Sequence, residues 1–203
     1  MNVKIKICGI TSGQEAAYLN ENSVDFAGMV LFFPKSRRNI DIPKAKNIMS
    51  ALNSSIKKVA VVVSPTLHQV EEIYAAGFDY VQIHGDIPQG IQDVGIPVLK
   101  AFNVSDMEQY EQYRDCSYIA GYVLDAQTPG SGQTFDWSLL DNFPRDGKLL
   151  LLAGGLTPEN VEEAVRYVHP DGVDVSSGVE NDNKAGKSEE KIKRFIENAR
   201  KGK

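Results

Sequence analysis

Cysteine and histidine are scarce in this chain. Its 203 residues include two cysteines, Cys8 and Cys116, and three histidines, His68, His84 and His169. No C-x-x-C pair occurs and the histidines are far apart, so the ligand spacing of a zinc module is missing. Two cysteines in a chain of this kind are more often reduced than bridged. These shortages argue against a disulfide scaffold or a structural zinc site, and they leave Cys8 as a buried core residue or a catalyst.

Long apolar runs and an excess of positive charge are also absent from the sequence. No segment reaches the length of a transmembrane helix, and the first residues lack the charged-then-apolar pattern of a signal peptide. The formal net charge is −5, whereas proteins that bind nucleic acids or anionic membranes usually carry a basic surface. We therefore expect a cytoplasmic protein that has neither a nucleic-acid nor a membrane partner.

What the sequence does contain is a strand-then-helix unit that recurs about every 25 residues. Helical patterns separate the apolar runs, and the last of them, over 187–200, has Ile192, Phe195, Ile196 and Ala199 at helical spacing. No linker or change of composition divides the chain, so we predict a single domain over residues 1–203. The eight apolar, β-rich runs lie at residues 3–8, 25–32, 57–63, 79–83, 97–102, 118–124, 148–153 and 172–176.

Several of the helical patterns have recognisable start signals. Ser12 and Ser105 each stand three residues before a glutamate, which is the spacing of a capping box. Ser64 and Thr157 each precede a proline, a residue that favours the first helical position. We therefore expect each of these four hydroxyl groups to cap a helix.

Eight strand-and-helix units in one domain favour the α/β class and, within it, a closed parallel (β/α)8 barrel, the TIM barrel. The structural rival is a doubly wound open sheet, which would need sheet edges, a reversal of strand order and normally fewer units. We favour the barrel because the unusual residues of the sequence fall at the ends of strands, where barrel enzymes build their active sites.

Six of the predicted strands end in polar, reactive or glycine residues. Each alone has an ordinary explanation, because a strand-end cysteine is commonly core, an arginine pair is commonly solvated and paired glycines commonly make a tight turn. In a barrel all six strand ends meet on one rim, so an active site is the better interpretation. The residues are Cys8 and Gly9, Arg37 and Arg38, His84, Asp125, Gly154 and Gly155, and Asp174 to Gly178.

The glycines after the seventh and eighth strands indicate a phosphate site. Without Cβ atoms, backbone N–H groups can approach a phosphate closely, helped by the N-terminus of a following helix. Barrels that bind sugar phosphates often hold the phosphate between these two loops. The candidate phosphate-binding residues are Gly154, Gly155, Ser177 and Gly178.

The opening stretch "KIKIC" predicts a buried ion pair. Period-2 alternation sends Lys6 to the same side as Cys8, so a barrel with Cys8 inside also has Lys6 inside. An unpaired ammonium there would be strongly unfavourable, and Asp174 on the adjoining eighth strand offers a carboxylate. We therefore predict a Lys6–Asp174 pair beneath Cys8, where its positive charge favours the thiolate. Lys4 is expected to reach solvent.

Six motifs follow one another along the chain: "KICGIT", "FFPKSRR", "VQIHG", "GSGQTFDW", "LAGGL" and "VDVSSGVE". In this order they resemble the motifs of the phosphoribosylanthranilate isomerase family of tryptophan biosynthesis. The resemblance spans most of the chain. It implies a (β/α)8 barrel that converts phosphoribosylanthranilate, an aminoaldose phosphate, to the corresponding aminoketose without cofactor or metal. It also implies a small phosphorylated substrate as the main partner and a monomer or homodimer.

The resemblance further implies individual roles. Cys8 matches the general base, Asp125 the general acid, and Arg38 the arginine that receives the anthranilate carboxylate. The family often has proline where this chain has Arg37, so Arg37 stands beside Arg38 as a second possible ligand. His84 and Asp174 complete the predicted substrate-binding set, although His84 could instead orient a neighbouring side chain. A second departure is Pro129, which stands where a glycine is common before Gly130, Ser131 and Gly132.

Two other functions fit a barrel with phosphate loops. A pentose-phosphate epimerase normally needs metal ligands or paired acidic residues at its strand ends, and a cysteine with an aspartate fits that chemistry poorly. A non-catalytic anion-binding barrel would keep the phosphate loops, and substrate turnover distinguishes it from an enzyme.

Overall fold

A computed structural model of the chain describes residues 2–125, 135–183 and 185–203. Eight parallel strands form its centre, and each overlaps one of the predicted apolar runs. Their bounds are Lys4–Cys8 (β1), Phe26–Leu31 (β2), Lys57–Val63 (β3), Tyr80–His84 (β4), Val98–Asn103 (β5), Ile119–Asp125 (β6), Leu149–Leu152 (β7) and Gly172–Val175 (β8).

The strands close into a barrel. Each strand pairs with the next one along the chain, and β8 pairs in parallel with β1 through Lys4↔Gly172 to Ile7↔Val175. The predicted (β/α)8 barrel is therefore confirmed and the open sheet is excluded. A further two-residue strand, Asn39–Ile40, pairs with the end of β2 and fixes the segment that carries Arg37 and Arg38.

Helices alternate with the strands, but several are short or have 3₁₀ geometry. The α-helices are Gly13–Glu21 (α1), Ile42–Ala51 (α2), Leu67–Ala76 (α3), Ile91–Val94 (α4), Val161–Val168 (α5) and Glu189–Lys201 (α6). The 3₁₀ segments are Val104–Gln112, Trp137–Leu140 and Ser177–Val179. None of the helices in the described part of the chain is long and apolar enough to cross a membrane.

The predicted helix starts are only partly correct. Ser12 caps α1 and forms a reciprocal capping box with Glu15, as expected. The predictions for Ser64 and Ser105 are wrong, whereas the Thr157 hydroxyl accepts from the N–H of Glu159 in the turn that leads into α5. Thr66 caps α3 because it forms its own capping box with Gln69, Asn160 precedes α5, and Ser105 lies inside a 3₁₀ segment.

Side chains of the strands alternate between the barrel interior and an outer layer beneath the helices. The outer layer is the larger core, and α6 contributes to it the four apolar residues predicted at helical spacing. The barrel interior contains a small apolar cluster, and the polar side chains of the interior lie above and beside this cluster. That inner cluster consists of Phe26, Val59, Val61, Leu99, Ala101, Val123, Leu151 and Ala153.

Candidate active site

A cavity of about 590 Å³ opens at the carboxyl ends of the strands. It brings together eight of the nine predicted site residues: Cys8, Arg38, His84, Asp125, Gly154, Gly155, Asp174 and Ser177. A second groove, of about 620 Å³, lies between the 137–148 segment and the α5–β8 connection, and it contains none of them. The strand-end cavity is therefore the candidate active site, although it is slightly the smaller of the two.

The predicted ion pair lies on the floor of this cavity. Lys6 and Asp174 are opposite each other in the β1–β8 register, and the Lys6 Nζ to Asp174 Oδ2 distance is 2.7 Å. The Lys6 side chain is fully buried, whereas Lys4 is exposed. The Lys6–Asp174 prediction is thus confirmed, and so is the outward position of Lys4. The alternation of side chains along a strand was enough to predict the pair, because both strands keep regular geometry where they meet.

Cys8 lies directly above this pair, at the end of β1. Opposite it, β2 places Gly28, where a Cβ atom would come within 3.0 Å of Cys8 Sγ and 3.1 Å of Lys6 Nζ. A side chain at position 28 would therefore crowd the thiol and the ammonium, which a glycine does not. Cys8 and Cys116 are both free thiols, as the sequence predicts.

Burial and charge act on Cys8 in opposite directions. Burial raises the pKa of the Cys8 thiol, while the ammonium groups of Lys6 and Lys187 lower it, and the net effect is a raised pKa. For Lys6, burial lowers the pKa of the ammonium, but Asp174 and Cys8 outweigh burial, so its pKa is raised. Lys6 is therefore charged at neutral pH. Its charge favours the thiolate of Cys8, as expected, but burial has the larger effect on the pKa of the thiol.

Arg38, not Arg37, is the arginine that faces the cavity. Its stem crosses Gly9, where a Cβ atom would lie 2.4 Å from Arg38 Cδ, and its Nε donates to Glu180 Oε1 at 2.6 Å. The Arg37 side chain is 73% exposed and reaches Glu180 from outside. Arg38 lines the cavity and Arg37 does not, which favours Arg38 as the ligand of a carboxylate.

His84 lines the wall of the cavity formed by β4. Burial, reinforced by the positive charges of Lys6 and Lys100, lowers the pKa of the imidazole to about 4. The ring is therefore neutral at pH 7, and its Nε2 lies 2.9 Å from Gln82 Nε2. His84 thus both orients a neighbour and lines the cavity.

The predicted phosphate loops meet beside β7 and β8, with one correction. Gly154 and Gly155 have φ values of +84° and +63°, which glycine adopts readily. The helix after them starts only at Val161, so its N-terminus does not immediately follow the glycines. Gly178 packs against Leu156, whose carbonyl oxygen would be 2.0 Å from a Cβ atom there, and it is not among the residues that line the cavity. Its contact with a phosphate stays a prediction.

Asp125 ends β6, and it faces the cavity from the side of the barrel away from β1. The residues that follow it, Pro129 and Gly130 to Gly132 among them, lie outside the described residues.

Two buried lysines at the site are absent from the sequence-based prediction. The Lys187 side chain is 1% exposed, and its Nζ donates to Ser176 O at 2.9 Å. Lys100 is also buried, and its Nζ donates to the carbonyl oxygens of Gly85 and Ala101. Burial lowers the pKa of Lys100 to about 8, although Asp86 and Asp106 oppose this effect. The sequence does offer a signal for Lys100, because this lysine interrupts the apolar run of a buried strand. It offers none for Lys187, which precedes a helix rich in charged residues.

Comparison with known proteins identifies the family. A sequence profile described as N-(5'phosphoribosyl)anthranilate (PRA) isomerase matches residues 5–198. The N-(5'-phosphoribosyl)anthranilate isomerases of Clostridium acetobutylicum and Streptococcus gordonii are 38% and 39% identical to this chain, and each match covers 98% of both proteins.

Solved structures give the same result. The phosphoribosyl anthranilate isomerase of Thermotoga maritima superposes with a TM-score of 0.85 at 36% identity, covering 97% of this chain and 98% of that chain. Another phosphoribosyl anthranilate isomerase was solved in complex with reduced 1-(o-carboxyphenylamino)-1-deoxyribulose 5-phosphate, and it superposes with a TM-score of 0.82 at 35% identity, with the same coverage. The barrel, its strand-end cavity and these nearly full-length matches show that the chain belongs to the N-(5'-phosphoribosyl)anthranilate isomerase family.

Proposed function

We propose that this chain converts N-(5-phosphoribosyl)anthranilate to 1-(2-carboxyphenylamino)-1-deoxyribulose 5-phosphate, an Amadori rearrangement, in tryptophan biosynthesis. The observation that carries the proposal is the convergence of Cys8, Arg38 and Asp125 with two glycine-rich loops in one cavity of a barrel from this family. The relative solved with a reduced form of this product supports the same substrate class. A cytoplasmic location and a monomeric or homodimeric state stay predictions, and one Thermotoga maritima relative is described as dimeric.

The two ends of the substrate have separate binding groups in this proposal. The phosphate binds to backbone N–H groups of the loops after β7 and β8, at Gly154, Gly155 and Ser177. The anthranilate carboxylate binds to the guanidinium of Arg38, which Glu180 holds at Nε. Charge-assisted contacts at both ends fix the ribose between β1 and β6, because each is directional and strong.

Ring opening requires an acid. Asp125, in its protonated form, donates a proton to the furanose ring oxygen, and the C1′–O bond breaks as the anthranilate nitrogen lone pair forms a Schiff base. Asp125 stands at the end of β6, with β7 and β8 between it and β1, and this separation from Cys8 supports the assignment. An acid and a base on different sides of the sugar can act on different atoms without competing.

Cys8 then acts as the base. Its thiolate removes the proton from C2′, and the electrons of the C–H bond move to the Schiff base and form an enamine, which tautomerises to the ketone. Lys6 beneath the sulfur stabilises the thiolate, which is the reactive form of cysteine. The pair of Lys6 with Asp174 keeps that ammonium charged and fixed in place.

Turnover by the purified chain is the test. We expect it to consume phosphoribosylanthranilate and to rescue a tryptophan auxotroph that lacks this isomerase, while Cys8→Ala does neither. A chain that binds the substrate and releases it unchanged would be a non-catalytic anion-binding barrel, and the proposal would be wrong.

A further inference from the structure

Lys187 is a buried ammonium for which the proposed mechanism has no use. It lies on the segment between the loop after β8 and α6, and its side chain is 1% exposed. Burial lowers the pKa of the Lys187 ammonium, and the Glu180 carboxylate opposes this effect. An ammonium inside a protein is strongly unfavourable unless polar groups surround it. Among the described residues, the polar partners of its Nζ are Ser176 O at 2.9 Å, Ser176 Oγ at 3.2 Å and Glu180 Oε1 at 3.5 Å.

These partners connect Lys187 to two groups of the candidate active site. The Ser176 hydroxyl donates to the backbone carbonyl oxygen of Cys8 at 3.0 Å. Glu180 accepts from Arg38 Nε at 2.6 Å through the same oxygen that faces Lys187. The Lys187 ammonium therefore holds Ser176, which contacts the backbone of Cys8, the proposed base. It also holds Glu180, which contacts Arg38, the proposed ligand of the carboxylate.

The backbone around Lys187 is fixed from both sides. Its N–H donates to Glu15 Oε1 at 2.7 Å, and its carbonyl oxygen accepts from Asn181 Nδ2 at 2.9 Å. The other oxygen of Glu15 accepts from the N–H groups of Thr11 and Ser12, in the loop directly after β1. The position of the ammonium is thus fixed relative to the loop that follows Cys8.

We propose that Lys187 is a positioning residue for the isomerisation: its ammonium holds Ser176 against the Cys8 backbone and Glu180 behind Arg38, and its charge stabilises the Cys8 thiolate. The effect that we expect on catalysis rests on the proposed function. The electrostatic consequence can be measured without any substrate.

The charges that face Cys8 determine the expected sign. Lys6 lies on its own strand, Asp174 on β8, and Lys187 beyond β8. The other charged or titratable residues that line the same cavity are Arg38 in the segment after β2, His84 at the end of β4 with Asp86 after it, Lys100 on β5 with Asp106 after it, and Asp125 at the end of β6. Burial raises the pKa of the thiol and Lys187 is one of two lysines that oppose it. Removal of the Lys187 charge therefore makes the thiolate form only at higher pH.

Alkylation of Cys8 by iodoacetamide as a function of pH tests the electrostatic part. In a Cys116→Ser background, Lys187→Met is expected to shift the apparent pKa of the remaining thiol upward by about one unit, the low end of the effect of a nearby opposite charge. Lys191→Met is the matched control, because that lysine is four residues along the chain and pairs with Asp182 at the surface. A titration of Lys187→Met that matches the control would overturn the proposal.

Two further variants separate charge from packing. Lys187→Gln keeps a hydrogen-bond donor beside Ser176 and loses the charge, so it is expected to fold and to show the same upward shift. Lys187→Arg keeps the charge and should return the titration towards that of the parent. If Lys187→Arg shifts the pKa as far as Lys187→Met does, the effect comes from lost packing and the proposal is wrong.

Steady-state kinetics test the catalytic part. Lys187→Gln is expected to lower kcat at least tenfold, to raise KM, and to move the acid limb of the kcat/KM profile to higher pH by the same amount as the alkylation shift. An unchanged acid limb would contradict the proposal. If the parent chain has no turnover, the proposed function fails, whereas the alkylation series still decides whether Lys187 acts on Cys8.

Discussion

Arg37 and Arg38 are neighbours in sequence, yet they have different surroundings. Both contact Glu180, but Arg38 is 15% exposed and lines the cavity, while Arg37 is largely in solvent. A surface ion pair contributes little free energy, whereas a partly buried, directional contact to a carboxylate contributes much more. The two arginines should therefore differ sharply in their effects on substrate binding.

Arg38→Ala is expected to weaken binding of the substrate by about 1.5–3 kcal/mol, or roughly tenfold to a hundredfold. Binding of an analogue that lacks the aromatic carboxylate should change much less. Arg37→Ala is the matched control and should leave both affinities nearly unchanged. The reverse pattern, with the loss in Arg37→Ala, would assign the carboxylate to the other arginine.

Lys6→Met should raise the apparent pKa of Cys8, measured by alkylation in a Cys116→Ser background. The reason is twofold, because the variant removes a positive charge and leaves the Asp174 carboxylate, which itself raises the thiol pKa, without its partner. The free energy of unfolding should fall by about 3–5 kcal/mol, as when one member of a buried pair is removed. Replacing both residues, as Lys6→Met with Asp174→Leu, should recover much of that stability. A single variant as stable as the parent would contradict a buried ion pair.

His84 gives the protein a component of acid sensitivity. Because its folded-state pKa is lowered to about 4 from an ordinary value of 6.5, the unfolded chain binds more protons between these two pH values. Stability therefore falls as the pH drops from about 6.5 to about 4, by at most about 1.4 kcal/mol per pH unit from this residue. Urea unfolding of the parent and of His84→Gln should show a smaller loss in the variant. Equal losses over this range would mean that His84 is not held neutral.

At the scale of elements, strands follow from the sequence more directly than helix starts do. All eight strands are buried, so their apolar runs stand out, and parallel pairing imposes a regular alternation. The start of a helix is instead a competition between nearby hydroxyl groups. Thr66 caps α3 in preference to Ser64 because only Thr66 has a glutamine three residues later, and Ser64 instead accepts from the N–H of Asp86.

Gly178 shows how two loops constrain each other. A Cβ atom there would lie 2.0 Å from Leu156 O, so Gly178→Ala must displace either the loop after β8 or the loop after β7. We expect a loss of about 1–3 kcal/mol in the free energy of unfolding, together with a higher KM because both loops belong to the proposed phosphate site. Gly13→Ala is the control, since nothing lies within 4 Å of its Cβ position and it should be nearly neutral. A stable Gly178→Ala with a normal KM would contradict this packing.

At the scale of the whole molecule, closure of the barrel is what creates the site. Sequence pattern alone predicted the strands, the rim and the Lys6–Asp174 pair, because regular alternation and strand order suffice to place them. It missed Lys187, whose contacts with Glu15 and Ser176 depend on where an irregular segment returns to the barrel. Sequence pattern also could not show that the missing side chain of Gly178 makes room for Leu156, because this contact depends on how the two loops pack.

The sharpest test of the Cys8 thiol as the base of an isomerase is Cys8→Ala. We expect kcat to fall by several orders of magnitude, while the free energy of unfolding changes by only about 1 kcal/mol because the truncated group is small and half-buried. Turnover of phosphoribosylanthranilate and urea unfolding should both be measured on one preparation. A variant that keeps near-normal turnover would show that Cys8 is a core residue and not the base.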